Sequence, residues 1–352
     1  MKLKKWMFGA IMIIICVSIA ACAVNEEPQI VSISVNSDNA KYYYVSGTEI
    51  DPSGLIITAQ LEDGTTKTLT TEVCEFVKPA FAPSGVKEVV VKHGDVQTSY
   101  PIFTVTSGSE KGNGITYQIR TNENGSKVSL TAYTVNKGKP FVMVFPGGGY
   151  EHVYMQQEGY DYAEKITQLG YNAFILEYSV NMEHPAPLND VAMAYQIIEQ
   201  NQEFFDVEMD GYAVCGSSAG GHLAATWSTN VVGAEAYGLP RPAAAILAYA
   251  STHIYETSRT NLLGENPSEE RRKSLSADEN IDPEYPATYS WVFVEDELVC
   301  EHVRIMEKAL VNGDISHITR YFTGGAHGLG LATGYEAEGW LEEAIEFWAN
   351  SR

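Results

Sequence analysis

Val214-Cys215-Gly216-Ser217-Ser218-Ala219-Gly220-Gly221-His222 is a G-x-S-x-G motif with a hydrophobic stretch before it and an Ala/Leu-rich stretch behind it. In a strand-to-helix elbow such a serine takes strained backbone angles that expose its hydroxyl, and the flanking glycines let strand, helix and substrate crowd against it. Fixed Gly and Ser positions like these recur by chance about 0.1 times in a chain of this size, so the motif needs support from its surroundings. A serine nucleophile also needs a base, a carboxylate to orient that base, and N–H donors for the oxyanion.

The run Lys139 to Phe145 is apolar after its first residue and ends in Pro146-Gly147-Gly148-Gly149-Tyr150. A buried parallel strand ending in glycines brings N–H groups close to a carbonyl oxygen, because no Cβ intervenes. Gly148 and Gly149, with Ala219 behind the serine, are the expected oxyanion donors; the plainer reading is a Pro-Gly turn that closes a strand. Eight histidines are present. His327 lies in Gly324-Gly325-Ala326-His327-Gly328, directly after the strand-like Ser316 to Phe322, where a loop can deliver an imidazole to the elbow. His93 falls in a different unit, His152 and His184 precede the elbow, and His222 belongs to its helix as a packing or hydrogen-bonding residue. His253, His302 and His317 read as surface or satisfied core histidines. The acid should close a strand between Ser218 and His327, and Glu295-Asp296-Glu297 follows the strand-like Tyr289 to Val294 at once.

Beyond Ile115 the pattern is one of alternating strands and helices. Ile115 to Ile119 and Val128 to Tyr133 flank Asn122-Glu123-Asn124-Gly125 as a hairpin. Tyr162, Ile166 and Leu169 make one helical stripe, and Val191, Ala194, Tyr195 and Ile198 another. With the strands Tyr171 to Val180, Ala243 to Ala250, Tyr289 to Val294 and Ser316 to Phe322, this predicts a mostly parallel sheet with helices on both faces. Ser251 to Pro286 breaks the rhythm and reads either as a partial lid or substrate wall, or as a surface excursion.

Several motifs stand in order: Pro146 to Tyr150, Glu158-Gly159, Tyr178-Ser179-Val180, Pro185 with Pro187, Asp190, Ser218 to Leu223, Leu262-Leu263-Gly264, His327 to Leu331 and Gly339-Trp340. Through them the stretch from about Ile115 to Arg352 resembles secreted bacterial α/β-hydrolases of the esterase/lipase type, close to the carbohydrate esterases that deacetylate xylan. The resemblance implies the chain order Ser, acid, His, hence His327 as base, and an oxyanion loop like HGGG with Pro146 in place of the His. It also selects Asp296, which stands three residues before Val299 as in a D-x-x-V pattern, although Cys300 replaces the usual Pro and leaves Glu295 and Glu297 open. The implied enzyme is a serine carboxylester hydrolase acting on acetyl or other short acyl groups of a plant polysaccharide such as xylan. A peptidase or feruloyl esterase of the same fold and a non-catalytic glycan-binding surface protein are the competing readings.

The N-terminus reads as a lipoprotein signal peptide over residues 1–21: Lys2, Lys4 and Lys5, an apolar run from Trp6 to Ala21, and Ile19-Ala20-Ala21-Cys22, similar to a lipobox. Lipidation of Cys22 would anchor an extracytoplasmic protein to a membrane, with 22–28 as a tether; an ordinary signal peptide and an uncleaved anchor are the alternatives. Short alternating strands from 29 to 106 suggest a β-sandwich, and Asp51-Pro52-Ser53-Gly54-Leu55 with Asp63-Gly64-Thr65-Thr66 resembles bacterial immunoglobulin-like modules. Residues 107–113 read as a flexible linker, so the catalytic unit over 114–352 is expected to fold when the chain begins near Gly112. A net charge of −22 argues against nucleic acid as a partner. Cys74, Cys215 and Cys300 show no metal-ligand spacing; Cys215 and Cys300 either pair or stay as buried thiols. No metal or cofactor is expected.

Overall fold

The computed structural model describes residues 27–254 and 260–352, so the expected signal segment, Cys22 and the start of the tether lie outside the described residues. The N-terminal unit is built of β1 (Ile30–Asn36), β2 (Tyr43–Val45), β3 (Ile56–Leu61), β4 (Thr66–Leu69), β5 (Glu75–Val77), β6 (Gly85–His93) and β7 (Val96–Lys111). β1, β3 and β4 form one antiparallel sheet; β5, β6 and β7 pair antiparallel, and β2 lies parallel to β7. Alternate residues of a strand share a face. Ile33, Ile57 and Ala59 from the first sheet therefore share a buried core with Val89, Val91, Tyr100 and Ile102 from β6 and β7.

The second part contains β8 (Gly114–Thr121), β9 (Lys127–Tyr133), β10 (Lys139–Phe145), β11 (Asn172–Glu177), β12 (Val207–Ser217), β13 (Ala244–Ala248), β14 (Ala287–Phe293) and β15 (His317–Phe322). They lie in the order β8-β9-β11-β10-β12-β13-β14-β15. β8, β9 and β11 pair antiparallel in turn, and every pair from β11 to β15 is parallel. The helices are α1 (Asp161–Gln168), α2 (Ala186–Gln200), α3 (Gln202–Phe205), α4 (Ser218–Trp227), α5 (Thr260–Leu263), α6 (Glu269–Ser274), α7 (Cys300–Asn312) and α8 (Trp340–Ser351). β10 is apolar at successive positions because both of its faces are covered. Phe141, Met143 and Phe145 pack into one core with α2 and α4, while Val142 and Val144 pack into the other with α1 and α8.

This order positions the site. The chain steps from β10 to β11 on one side and returns to β12 on the other, so the strand order reverses at β10. Open α/β sheets bind ligands outside the carboxyl ends of the strands at such a reversal, and here the loops leaving β10 and β12 carry Gly147–Gly149 and Ser218.

Residues 107–113 are not a flexible linker. β7 continues through Lys111 and pairs with β8, Thr106 opposite Gln118 and Lys111 opposite Gly114, with a bulge between Ser107 and Glu110. Strand pairing is thus continuous from β5 to β15. The join is reinforced where the amides of Tyr42 and Tyr43 donate to Gln200 Oε1 at 2.9 and 2.8 Å, and where Asn201 Nδ2 donates to the Tyr43 carbonyl at 3.1 Å.

A chain beginning at Gly112 loses the strand beside β8 and the buried Val45 and Val105, which belong to the same core as Ile119 and Leu130. Each valine contributes about 1.5–3 kcal/mol by burial. The truncated chain should melt about 10 °C or more below the full chain, or aggregate; an unchanged melting temperature by circular dichroism would restore the linker reading.

Candidate active site

Ser218 sits where β12 gives way to α4, with φ at +51°. For a residue with a Cβ this left-handed conformation costs about 1–3 kcal/mol and persists only when its surroundings impose it. They do. A Cβ at Gly216 would lie 2.2 Å from the Gly220 carbonyl oxygen, and one at Gly220 would lie 1.9 Å from the Phe145 carbonyl oxygen. The glycines let β10, β12 and α4 approach at backbone distance, and the Ser251 amide holds the Ser218 carbonyl at 3.1 Å.

The structure brings Ser218, His327 and Asp296 into one hydrogen-bonded chain. Asp296 is an acceptor when ionised, so His327 Nδ1 carries the proton and donates to Asp296 Oδ2 at 2.7 Å. That tautomer leaves Nε2 to accept from the Ser218 hydroxyl at 2.9 Å. Asp296 is buried, and its second oxygen accepts the Leu298 amide at 3.1 Å. Glu295 and Glu297 are exposed and do not reach His327; Glu295 instead accepts the Gly324 amide at 3.2 Å and pins the histidine loop.

A cleft of about 510 Å³ opens over this chain, lined among others by Gly148, Gly149, Glu158, Ser218, Leu298 and His327. Gly148 and Gly149 have φ of +137° and +66°, and a Cβ at Gly148 would lie 2.0 Å from the His152 carbonyl oxygen. The Ala219 amide is in the first turn of α4, where N–H groups have no intrahelical acceptor. Gly148 and Gly149 line the cleft with the serine, and the Ala219 amide follows Ser218 at the start of α4.

Described residues of the segment 251–286 hold the loop of Gly148 and Gly149, the His184 loop and α4. Asn261 Nδ2 donates to the Gly149 carbonyl at 2.8 Å, Arg271 donates to the His184 carbonyl at 2.9 Å, and Tyr285 donates to the Ala225 carbonyl at 3.0 Å. Its described residues line no part of the cleft, so among them it is neither a lid nor a loose excursion. Gly149 and His184 belong to loops the sequence treats separately, and only the folded chain reveals their common support.

One further residue escapes a reading of the sequence by type and spacing. Glu158 is buried in a π-helical turn, Met155–Tyr160, where its Oε2 accepts the Gly147 amide and its Oε1 accepts the Tyr249 hydroxyl, both at 2.7 Å. Burial pushes its carboxyl above the usual carboxylate range, against the opposing pull of the Tyr249 and Gly147 hydrogen bonds and of the His327 charge. Burial likewise raises the Tyr249 and Tyr162 hydroxyls well above a free phenol. The one signal in the sequence was Glu158-Gly159 among the ordered motifs.

His152 lines the cleft with Ser218 and His327, whereas three other histidines have ring partners elsewhere. His222 donates from Nε2 to the Leu275 carbonyl and accepts the Tyr150 hydroxyl at Nδ1, both at 2.7 Å. His253 Nδ1 meets Asp278 at 2.8 Å, and His317 Nδ1 donates to the Ile315 carbonyl at 2.7 Å. His184 is held down to about 4 by burial and by Arg271. Cys74, Cys215 and Cys300 are free thiols, and among the described residues no group of three His, Cys, Asp or Glu is placed to hold a metal ion.

Comparison with known proteins agrees with the geometry. The BD-FAE family matches residues 129–235. The endo-1,4-beta-xylanase B of Butyrivibrio fibrisolvens is 28% identical over 232 residues, covering 60% of this chain and 36% of that protein, so the chain spans about a third of this relative. The acetyl ester-xyloside bifunctional hydrolase of Caldicellulosiruptor lactoaceticus superposes with a TM-score of 0.58 at 27% identity, covering 66% of this chain and 94% of the other. MGS-M1, an alpha/beta hydrolase enzyme from a Medee basin deep-sea metagenome library, gives 0.55 at 26%, covering 68% and 99%. The fold is that of the α/β-hydrolases, and the likenesses are to hydrolases of esterase type.

Gly220→Ala tests the elbow itself. Its Cβ would meet backbone at 1.9 Å, so the variant should lose several kcal/mol of stability, on the order of 3 or more, read as a shifted denaturant midpoint. Gly125→Ala, whose Cβ meets nothing within 4 Å, bears only the strain of its positive φ. A Gly220 variant as stable as the wild type would mean that the close approach of β10 and α4 is wrong.

Proposed function

We propose that this chain is a serine carboxylester hydrolase that removes acetyl or other short acyl groups from a polysaccharide such as xylan. The observation that carries the reading is the hydrogen-bonded chain Ser218–His327–Asp296 at 2.9 and 2.7 Å, whose serine and histidine line the cleft. Ser218 Oγ attacks the ester carbonyl while His327 Nε2 takes its proton. Asp296 keeps Nδ1 protonated and stabilises the imidazolium, and the amides of Ala219 and of Gly148 or Gly149 receive the oxyanion. Collapse of the tetrahedral intermediate breaks the bond to the sugar oxygen, which takes the proton from His327 and leaves as a hydroxyl, and Ser218 keeps the acyl group. Water activated by His327 then releases the acid.

The substrate class rests on similarity. Relatives named for xylan cleavage and for acetyl ester-xyloside hydrolysis support acetylated xylan, and the open cleft, with an exposed Tyr154 on its lining, suits a sugar. In the same reading the protein is exported, lipidated at Cys22 and held at the cell surface, with the all-β unit as an immunoglobulin-like module beside the catalytic unit.

Ser218→Ala should reduce turnover by about 10⁶ and abolish labelling by a fluorophosphonate. Asp296→Asn should reduce it by about 10⁴, because the tautomer is upset, with Glu295→Gln and Glu297→Gln mild. Release of acetate from acetylated xylan, measured against feruloylated sugars and peptide amides, separates this substrate from the alternatives. Retention of activity in Ser218→Ala would remove the mechanism. For location, Cys22→Ala should block incorporation of labelled palmitate and release the protein from the membrane fraction or leave it uncleaved; lipid labelling that persists in the variant would sink the anchor.

A further inference from the structure

We infer that Glu158 is a positioning residue whose carboxylate holds the oxyanion loop and the histidine loop in register; this rests on the esterase reading above. Each oxygen has a separate task. Oε2 takes the Gly147 amide at 2.7 Å, immediately before the glycines that offer their N–H groups to the cleft. Oε1 takes the Tyr249 hydroxyl at 2.7 Å. Tyr249 passes the constraint on: its oxygen accepts the Gly330 amide at 3.1 Å from the loop that carries His327, and its ring meets the His327 imidazole edge-on with centroids 5.2 Å apart. The Tyr162 hydroxyl, 3.3 Å from that of Tyr249, lies 2.9 Å from Ser217 Oγ and extends the network beneath the elbow.

The local backbone is arranged to make these contacts. The π-helical turn turns Glu158 and Gly159 inward, and a Cβ at Gly159 would press on Ile175 at 3.1 Å and on Pro146 at 3.3 Å. π turns interrupt regular helices at functional sites. An apolar side chain would fill the same volume without the desolvation penalty of a buried carboxylate. It would lack an acceptor for Gly147 and Tyr249 together. Hydrogen bonds to an ionised acceptor are about twice as strong as neutral ones, which suits a contact that must hold two loops to a fraction of an ångström.

The test uses the full chain with 4-nitrophenyl acetate and a fluorophosphonate. In Glu158→Gln one oxygen becomes an N–H donor, so either Gly147 or Tyr249 loses its acceptor; Tyr249→Phe keeps the Gly147 bond and cuts the arm to the histidine loop. Both should lower kcat by about 10- to 100-fold, the loss expected from misplacing reacting groups by about 1 Å, with KM within about twofold and melting temperature near the wild type. Because the two act as one unit, the double variant should lose little more than the worse single one. A kcat within about twofold of wild type in folded Glu158→Gln, or losses that multiply, overturns the inference. If Glu158→Gln does not fold, Tyr249→Phe decides alone, and an unchanged kcat there overturns it. The esterase reading fails separately: a wild-type protein that neither hydrolyses the ester nor takes the fluorophosphonate removes the ground for both.

Discussion

The close approach of three backbones at the serine is the constraint on which the rest of the site depends. The carbonyl of Phe145, at the end of β10, stands where a Cβ of Gly220 would be, and the Gly220 carbonyl stands where a Cβ of Gly216 would be. Only glycine allows that contact. Its effect is to push Ser218 into a left-handed conformation and to bring the loop after β10 against the first turn of α4. The proposed nucleophile and oxyanion donors thus come from one steric fact, and the apolar strands of the sheet supply the rigidity that sustains the strain.

Two buried carboxylates lie near the serine, with different tasks. Asp296 faces the histidine and can only accept its Nδ1 proton, so it sets the tautomer. Glu158 faces the loops and accepts from Gly147 and Tyr249. Their partners separate them: Asp296 meets the imidazole directly, whereas the two Glu158 oxygens meet a backbone amide and a phenol hydroxyl. A second contact holds the same loop: Asn261 donates to the Gly149 carbonyl, in the peptide that follows the proposed donors.

What could be read in the sequence was what periodicity and spacing encode. β10, the helical stripes of α1 and α2 and the glycines of the elbow follow from local pattern, and His327 from a Gly-rich loop after a strand. Asp296 needed the resemblance, because three adjacent carboxylates look alike until one is buried against the imidazole. β7 was missed. Its 16 residues mix polar and apolar side chains and include Pro101, and its far end, Ser107-Gly108-Ser109-Glu110-Lys111, has the composition of a linker. Its strand character comes from pairing with β6 and β8, which no local pattern reports. Glu158 is legible only through the resemblance, where Glu158-Gly159 is one of the ordered motifs: by type and spacing it is an ordinary acidic residue until folding sets it between Gly147 and Tyr249.

The continuity of strand pairing gives the N-terminal unit a role that needs no ligand. β8 would otherwise end the catalytic sheet with unpaired N–H and C=O groups, a template for aggregation. β7 covers that edge, and the pairing then runs out through β6 to β5, a strand of only three residues that begins with Glu75. Short, charged edge strands resist further pairing. The cleft lies at the carboxyl ends of β10, β12 and their neighbours, and no described residue before Gly148 lines it. In the esterase reading proposed above, the unit bears on the cleft through the stability of the sheet, and its own surface lies outside the cleft that holds Ser218.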